Sequence, residues 1–304
     1  MKYFVEQMFF NPQWYHYPFM FLLFLVSLLY GSIMFLRRKL RKAKRYHIPI
    51  VSVGNLLVGG SGKTPFVIAL ASTYEDVFVI SRGYGRKSTG FKKVSCKGKI
   101  LVDVEVAGDE AMLMALSLPH TTVLVSENRH KAIEFAQSHG AKLIILDDGF
   151  SRVDIEKFEI LLEPNIIKNK YTFPIGPFRE FLATRRKADI LAKEGIEFIR
   201  EVTIENETDR MVLVTAISNP MRLDTYLPAD VVHKVYYEDH AYFNEDILKK
   251  LLLDYQASSI LCTSKDKVKM DGFKLAISEM KLKLEIKKEI FIQINEYIEG
   301  HTHA

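Results

Sequence analysis

Residues 50–70, IVSVGNLLVGGSGKTPFVIAL, constrain this chain more than any other stretch: an apolar strand runs into a glycine-rich loop and then straight into an apolar helix. Gly59, Gly60 and Gly62 can take backbone angles closed to other residues, so successive N–H groups can turn inward around an anion at a helix N-terminus. Lys63 then offers a positive charge to the β- and γ-phosphates of a nucleotide, and the Thr64 hydroxyl is placed to ligate Mg²⁺. The predicted nucleotide cradle is Leu57, Val58, Gly59, Gly60, Ser61, Gly62, Lys63 and Thr64. Leu57 stands where such loops usually begin with glycine, a departure that the flanking strand and helix offset.

At 304 residues the chain can bury one or two sizeable cores, and two are expected. Its net charge of +5 is more than accounted for by seven cations, Arg37, Arg38, Lys39, Arg41, Lys42, Lys44 and Arg45. The rest of the chain is slightly acidic, which argues against a nucleic-acid surface, and no protein partner is predicted. Two distant cysteines, Cys96 and Cys262, make neither a disulfide framework nor a zinc spacing and suit a reducing cytoplasm.

The basic run has a local explanation. Residues 18–36 carry no charge and are nearly all Phe, Leu, Met, Val or Ile, and as one helix they would span roughly 28 Å, enough to cross a bilayer. A buried core helix or a helix lying in the membrane interface are the other readings. With the cations on the cytoplasmic side, the body of the protein is expected in the cytoplasm at the inner membrane, its basic collar facing anionic membrane lipids.

Strand and helix patterns alternate from residue 48 to 192, with strands near 48–53, 77–81, 122–126, 142–147, 158–162 and 189–192. Continuous apolar runs such as VFVI and LIIL suit strands buried on both faces. The predicted fold is α/β: a P-loop-like, mostly parallel sheet with flanking helices, a second smaller α/β domain, and an N-terminal membrane helix. The expected division is 1–46, 47–200 and 201–304, with the charged segment IENETDR as linker. VSCKGKILVDV reads as a hairpin turning at Lys97 and Gly98, an excursion from the sheet. The tail HTHA reads as a disordered terminus rather than a metal site.

Several short motifs could carry chemistry. KLIILDDGF delivers Asp147 and Asp148 to the carboxyl end of a strand, where ligands of open α/β sheets bind, so the pair can hold Mg²⁺ or make a turn. AGDEAML opens a helix, and Asp109 and Glu110 there either face the helix dipole or do chemistry. SRGYGR sets Arg82, Tyr84 and Arg86 on flexible backbone, where the arginines could fork a phosphate or form a solvated turn. FPIGPFRE places Arg179 and Glu180 at a helix start. His240, in YEDHAYF, reads locally as a surface histidine.

In combination these segments are specific. SVGNLLVGGSGKTPF, ISRGYGRK, AGDEAML, ENRHKA, LDDGF, FPIGPFRE, RKAD, the Asp-His pair of YEDHAYF, and TSKDKVK together resemble the tetraacyldisaccharide 4'-kinase family over nearly the whole chain. The resemblance implies transfer of the ATP γ-phosphate to the 4'-hydroxyl of a lipid A disaccharide precursor, giving lipid IVA. It also implies that Asp109 acts as base together with His240, that Lys63 stabilises the phosphoryl group, and that Asp147 and Asp148 are metal-linked. Arg82, Tyr84, Arg86, Glu110, Arg179 and Glu180 then fall near substrate or nucleotide. Many members continue LDDGF with Gln-His where this chain has Ser151 and Arg152. Two other classes stand beside this reading: a membrane-associated P-loop ATPase of the partitioning type, which usually has lysine where Val58 stands, and a non-catalytic binding module.

Overall fold

The computed structural model describes residues 2–59 and 62–302. Gly60 and Ser61 of the predicted cradle, and His303 of the tail, lie outside the described residues.

In chain order the elements begin with helices α1 (Lys2–Phe10), α2 (Tyr17–Leu22) and α3 (Phe24–Leu40). Strand β1 (Ile50–Gly54), α4 (Lys63–Ala71), β2 (Val77–Ser81), β3 (Lys92–Cys96) and β4 (Lys99–Ile100) follow. Next come α5 (Val104–Ala107), α6 (Asp109–Ser117), β5 (Thr122–Val125), α7 (Arg129–Ser138), β6 (Leu143–Asp147), β7 (Phe158–Glu163) and β8 (Ile190–Lys193). The remaining elements are β9 (Phe198–Glu205), β10 (Met211–Thr215), β11 (Val231–Tyr236), α8 (Glu245–Asp254), β12 (Ser259–Thr263), α9 (Ser264–Lys267), β13 (Ile277–Ile286) and α10 (Lys288–Thr302). The strands form an eight-stranded, mostly parallel sheet, β4-β3-β5-β2-β6-β1-β7-β8, and a five-stranded sheet, β11-β10-β12-β13-β9. The fold is mixed α/β with a large parallel-rich sheet.

Two compact units divide the chain. The first comprises Met1–Lys63, Leu146–Phe198 and Lys287–Ala304. In it β1, β7 and β8 run parallel, with Val53 opposite Ile160 and Ile160 opposite Ile190. All five residues of β1 are buried, as a strand covered on both faces requires. Helix α10 supplies part of that cover: the Ile50 N–H donates to the Tyr297 hydroxyl at 3.3 Å, and Ile290 and Ile294 are buried. His301 belongs to this helix, with Nε2 2.8 Å from the Tyr46 carbonyl, so the tail is ordered that far instead of loose.

The apolar N-terminus departs from the single helix expected over 18–36. Helix α2 stops at Leu23, whose φ and ψ of −94° and 3° leave the helical range, and α3 continues at 63° to it. No single helix among the described residues is long and apolar enough to cross a membrane. One side of α3 is engaged by the protein itself. Ser27 and Thr172 exchange hydrogen bonds of 2.8 Å, and a Cβ on Gly31 would lie 2.5 Å from the Phe181 ring. Leu25 and Leu29 of α3 are exposed, as are Phe21 and Leu22 of α2.

The second unit comprises Thr64–Ile145 and Ile199–Ile286. Strands β2 and β5 are parallel, while β3 pairs antiparallel with both β5 and β4. The predicted hairpin is there, with Lys97 and Gly98 both at positive φ as a type I′ turn needs. It is the edge of the sheet rather than an excursion from it, because β3 finds unpaired backbone groups on β5. The predicted linker is the end of β9 and a tight turn at Asn206, φ 55°. Strand β9 looked polar because alternate residues face solvent. Asn244 caps α8, its side chain accepting from the Asp246 and Ile247 amides.

Candidate active site

Strand β1 ends at Gly54, where a Cβ would lie 2.5 Å from the Phe150 Cβ, so glycine lets the LDDGF loop close on the strand end. The Asp148 N–H donates to the Val53 carbonyl at 2.9 Å, which holds Asp148 at φ 55°. Such a conformation in a non-glycine residue needs outside support and concentrates at functional sites. At this loop Lys63 Nζ donates to Asn55 Oδ1 at 3.1 Å and stands 3.6 Å from Asp148 Oδ1. Arg179 Nη1 reaches both Asp148 oxygens, at 3.0 and 3.3 Å.

Backbone pairing delivers Arg179 there. Its N–H donates to the Leu56 carbonyl, the Val58 N–H donates to Pro177, and Leu57 bridges Phe178. The Val58 amide is therefore committed to protein, and the amides left to face an anion lie further along the loop, where Gly59 and Gly62 have φ of 94° and 78°.

The residues fit a nucleotide phosphate. Asn55 is buried, and its Nδ2 has no acceptor among the described residues. An unsatisfied buried donor costs roughly 1–3 kcal/mol, and beside two cations an anion is the group that would satisfy it. Asp147 and Asp148 are the hard oxygen donors that Mg²⁺ takes. Asp147 is 3% exposed while the Asp148 side chain is 36% exposed. Thr64, next along the chain from Lys63, is buried in the first turn of α4.

Glu180 is buried and faces α3. Arg38 Nε and Nη2 donate to its two oxygens at 2.8 and 3.1 Å, and the same Nη2 reaches the Phe150 carbonyl at 3.0 Å. Arg37 donates to the Ser151 carbonyl at 2.9 Å. Two cations of the basic collar are thus spent on the loop after Asp148. Ser151 and Arg152 are used through their backbone carbonyls, Arg152 accepting from Lys157 at 2.7 Å.

A second cluster forms in the other unit. Gly108 precedes α6 at φ 85°, and a Cβ on it would sit 2.7 Å from the Tyr84 carbonyl oxygen, so this glycine allows SRGYGR to pass directly over the helix start. Asp109 is thereby set, nearly buried, at the first position of α6. His240 Nδ1 lies 2.9 Å from both of its oxygens, and the ring sits 4.8 Å from that of Tyr84. With Nδ1 protonated, the imidazole donates to the carboxylate.

Two lysines complete the cluster. Lys265 Nζ lies 3.1 Å from Glu110, 3.7 Å from Asp109 and 3.7 Å from Asp239. Lys269 Nζ lies 3.9 Å from Asp109 and 3.0 Å from Asp266. Burial alone would push the Asp109 carboxyl up, but the His240 hydrogen bond and the charges of Lys265, His240 and Lys269 outweigh it and hold the pKa below the ordinary carboxylate value. Burial likewise works against charge on Lys265, yet Glu110, Asp109 and Asp239 hold it above the ordinary lysine value.

The structure thus brings Lys63, Asp148 and Arg179 together in one cluster and Asp109, Glu110, His240 and Tyr84 in another. Arg82 is exposed. Arg86 turns to the Glu127 carboxylate and the Gly90 carbonyl. Sequence reasoning misses Asn55, Arg38, Lys265, Asp266 and Lys269; TSKDKVK carries a family resemblance, and nothing local in it shows that its lysines turn inward.

Residues 19–299 match the model of the family described as Tetraacyldisaccharide-1-P 4'-kinase. The chain belongs to this family. It is 43% identical over 303 residues to the tetraacyldisaccharide 4'-kinase of Helicobacter pylori strain 26695, covering 99% of this chain and 97% of that protein. It is 42% identical over 303 residues to the tetraacyldisaccharide 4'-kinase of Aliarcobacter butzleri, covering 97% and 96%. Among solved structures it resembles the "apo" form of LpxK from Aquifex aeolicus in complex with ATP, at a TM-score of 0.75 and 29% identity over 91% of this chain and 98% of that one.

Proposed function

We propose that this chain is a tetraacyldisaccharide 4'-kinase, transferring the γ-phosphoryl group of ATP to the 4'-hydroxyl of tetraacyldisaccharide 1-phosphate to form lipid IVA. The observation that carries the reading is the cluster at the glycine-rich loop, in which Lys63 and Arg179 share Asp148 in a protein related to 4'-kinases along its whole length. A non-catalytic module has no use for that cluster.

When bound, ATP supplies the phosphoryl group and Mg²⁺ neutralises charge on it. Lys63, with the amides of the glycine loop, holds the phosphates, and Arg179 adds a planar fork to the same anion. Asp148, the more exposed carboxylate, would hold Mg²⁺ with Asp147 in support, and the Thr64 hydroxyl, next along the chain from Lys63, is the oxygen donor that the loop itself would offer. Asp109 takes the proton of the sugar hydroxyl; His240, bonded to it, orients the carboxylate and shares the proton.

The acyl chains of such a substrate stay in a bilayer, and the reading places this protein at the cytoplasmic face of the inner membrane. The exposed apolar side of α2 and α3 supports contact with lipid. The opposite side of α3 is tied to protein at Ser27, Gly31 and Arg38, which favours a helix lying in the interface over one isolated across the bilayer.

The test is transfer of radiolabelled γ-phosphate from ATP to tetraacyldisaccharide 1-phosphate by purified protein in detergent, with Lys63→Ala as control. Label in the lipid, lost in the control, is expected. ATP consumption without labelled lipid would favour the partitioning-type ATPase.

A further inference from the structure

Beside the Asp109–His240 pair lies a fully buried ion pair that the proton transfer does not itself require. The side chains of Lys269 and Asp266 are both 0% exposed, their charged atoms 3.0 Å apart. Burying such a pair costs several kcal/mol of desolvation per ion unless hydrogen bonds compensate, and here two of those bonds, to the Ala216 N–H and the Ala241 carbonyl, lead to the backbone around His240. Asp266 accepts from the hydroxyls of Thr215 and Thr263 at 2.6 and 2.8 Å and from the Ala216 N–H at 3.1 Å. The Ala216 carbonyl in turn accepts the N–H of His240 at 3.0 Å. Lys269 Nζ donates to the carbonyl of Ala241, the next residue, at 3.0 Å and lies over the Phe243 ring. His240 is thus gripped on both sides, and it needs to be, since its φ is 62° in a residue with a bulky side chain.

We propose that Lys269 is a positioning residue for the phosphoryl transfer: through Asp266 and the Ala241 carbonyl it fixes His240 against Asp109, and it supplies a buried positive charge to that carboxylate. The inference rests on Asp109 being the proton acceptor. The charged and titratable groups around Asp109 are Glu110 on its own helix, Tyr84 and Arg86 in the loop crossing Gly108, Asp239, His240 and Tyr242 in the turn, and Lys265, Asp266 and Lys269. Of the cations among these, Lys269 is the one that joins the charge of the pair to the backbone beside the histidine, at the Ala241 carbonyl. Lys265 is a cation at the rim with three carboxylates to answer; Lys269 has no solvent and no freedom to turn away. Removing it also removes one of the charges that hold the Asp109 carboxyl down.

The experiment uses full-length Lys269→Met, with Lys269→Met/Asp266→Asn as a companion in which Asp266 is not left as an unpaired buried carboxylate; thermal unfolding establishes that the protein read out is folded. The transfer rate to lipid at saturation is expected to fall roughly 10- to 100-fold, the scale of a misplaced reacting group, with KM for ATP unchanged. The Asp109 carboxyl, followed by ¹³C NMR of aspartate-labelled protein and assigned by its loss in Asp109→Asn, should titrate at higher pH than in the parent. A folded variant with the parent's rate and an unmoved Asp109 titration overturns the proposal. A moved titration in a protein whose parent labels no lipid would uphold the link from Lys269 to Asp109 and sink the kinase reading instead.

Discussion

Arg38, in the last turn of α3, closes on Glu180 with hydrogen bonds of 2.8 and 3.1 Å, so this helix with its exposed apolar face is bolted to the segment that delivers Arg179. Glu180 is 2% exposed, and Arg37, at 3.9 Å, is a weak substitute. Arg38→Met should therefore cost about 3–5 kcal/mol, the scale for stranding one member of a buried pair. Arg38→Met/Glu180→Gln should recover most of it. Denaturant unfolding of the three proteins measures both.

Asp109→Asn keeps the shape of the side chain and removes the proton acceptor. The transfer rate is expected to fall by about 10²–10⁴, with ATP affinity, read by calorimetry, unchanged. The pH dependence follows from the lowered Asp109 pKa. A depressed carboxylate stabilises the fold fully above its unfolded pKa of about 3.9, and that contribution is lost as pH falls through the folded value. The acid limb of the transfer rate due to Asp109 should lie below the ordinary carboxylate range and vanish in the variant.

Gly108→Ala and Gly140→Ala make an informative pair. Both residues have positive φ, 85° and 80°, but a Cβ on Gly140 meets nothing within 4 Å while one on Gly108 meets the Tyr84 carbonyl oxygen at 2.7 Å. Both substitutions should lose about 1 kcal/mol or more to backbone strain. Only Gly108→Ala should also lower the transfer rate, because relief of the clash must move Tyr84 or Asp109.

Phe21, Leu25 and Leu29 are 85%, 74% and 61% exposed. Each would gain roughly 1.5–3 kcal/mol on entering an apolar phase, so replacing all three by serine should reduce co-sedimentation with anionic vesicles by far more than tenfold. Transfer to substrate dispersed in detergent should be spared. Equal vesicle binding by parent and variant would count against the interfacial placement.

Much of the fold is legible in the chain. Runs such as LIIL and VFVI read as buried strands because a parallel sheet leaves no face for polar residues, and β2, β6 and β7 lie within a residue or so of where those runs place them. The glycine-rich loop and LDDGF are legible for the same local reason, a strand end followed by residues suited to anions and cations. The break at Leu23 is not legible, since LFLV has no breaker and the bend follows from Ser27 and Gly31 docking on protein. Nor is the inward turn of Lys269: nothing local in TSKDKVK shows it, and it follows from long-range partners, Ala241 for Lys269 and Thr215 and Ala216 for Asp266.

The cover of β1 has a consequence for synthesis. The strand that leads into the nucleotide loop leaves the ribosome early, while Tyr297 and Ile294, which pack with its unit, emerge some 240 residues later. Through that interval the first unit lacks α10, and the strand's apolar surface is open to chaperones and to neighbouring nascent chains. The second unit, complete by Ile286, can fold first. In the order of synthesis, the unit that carries Lys63, Asp148 and Arg179 is therefore the last to have all of its residues.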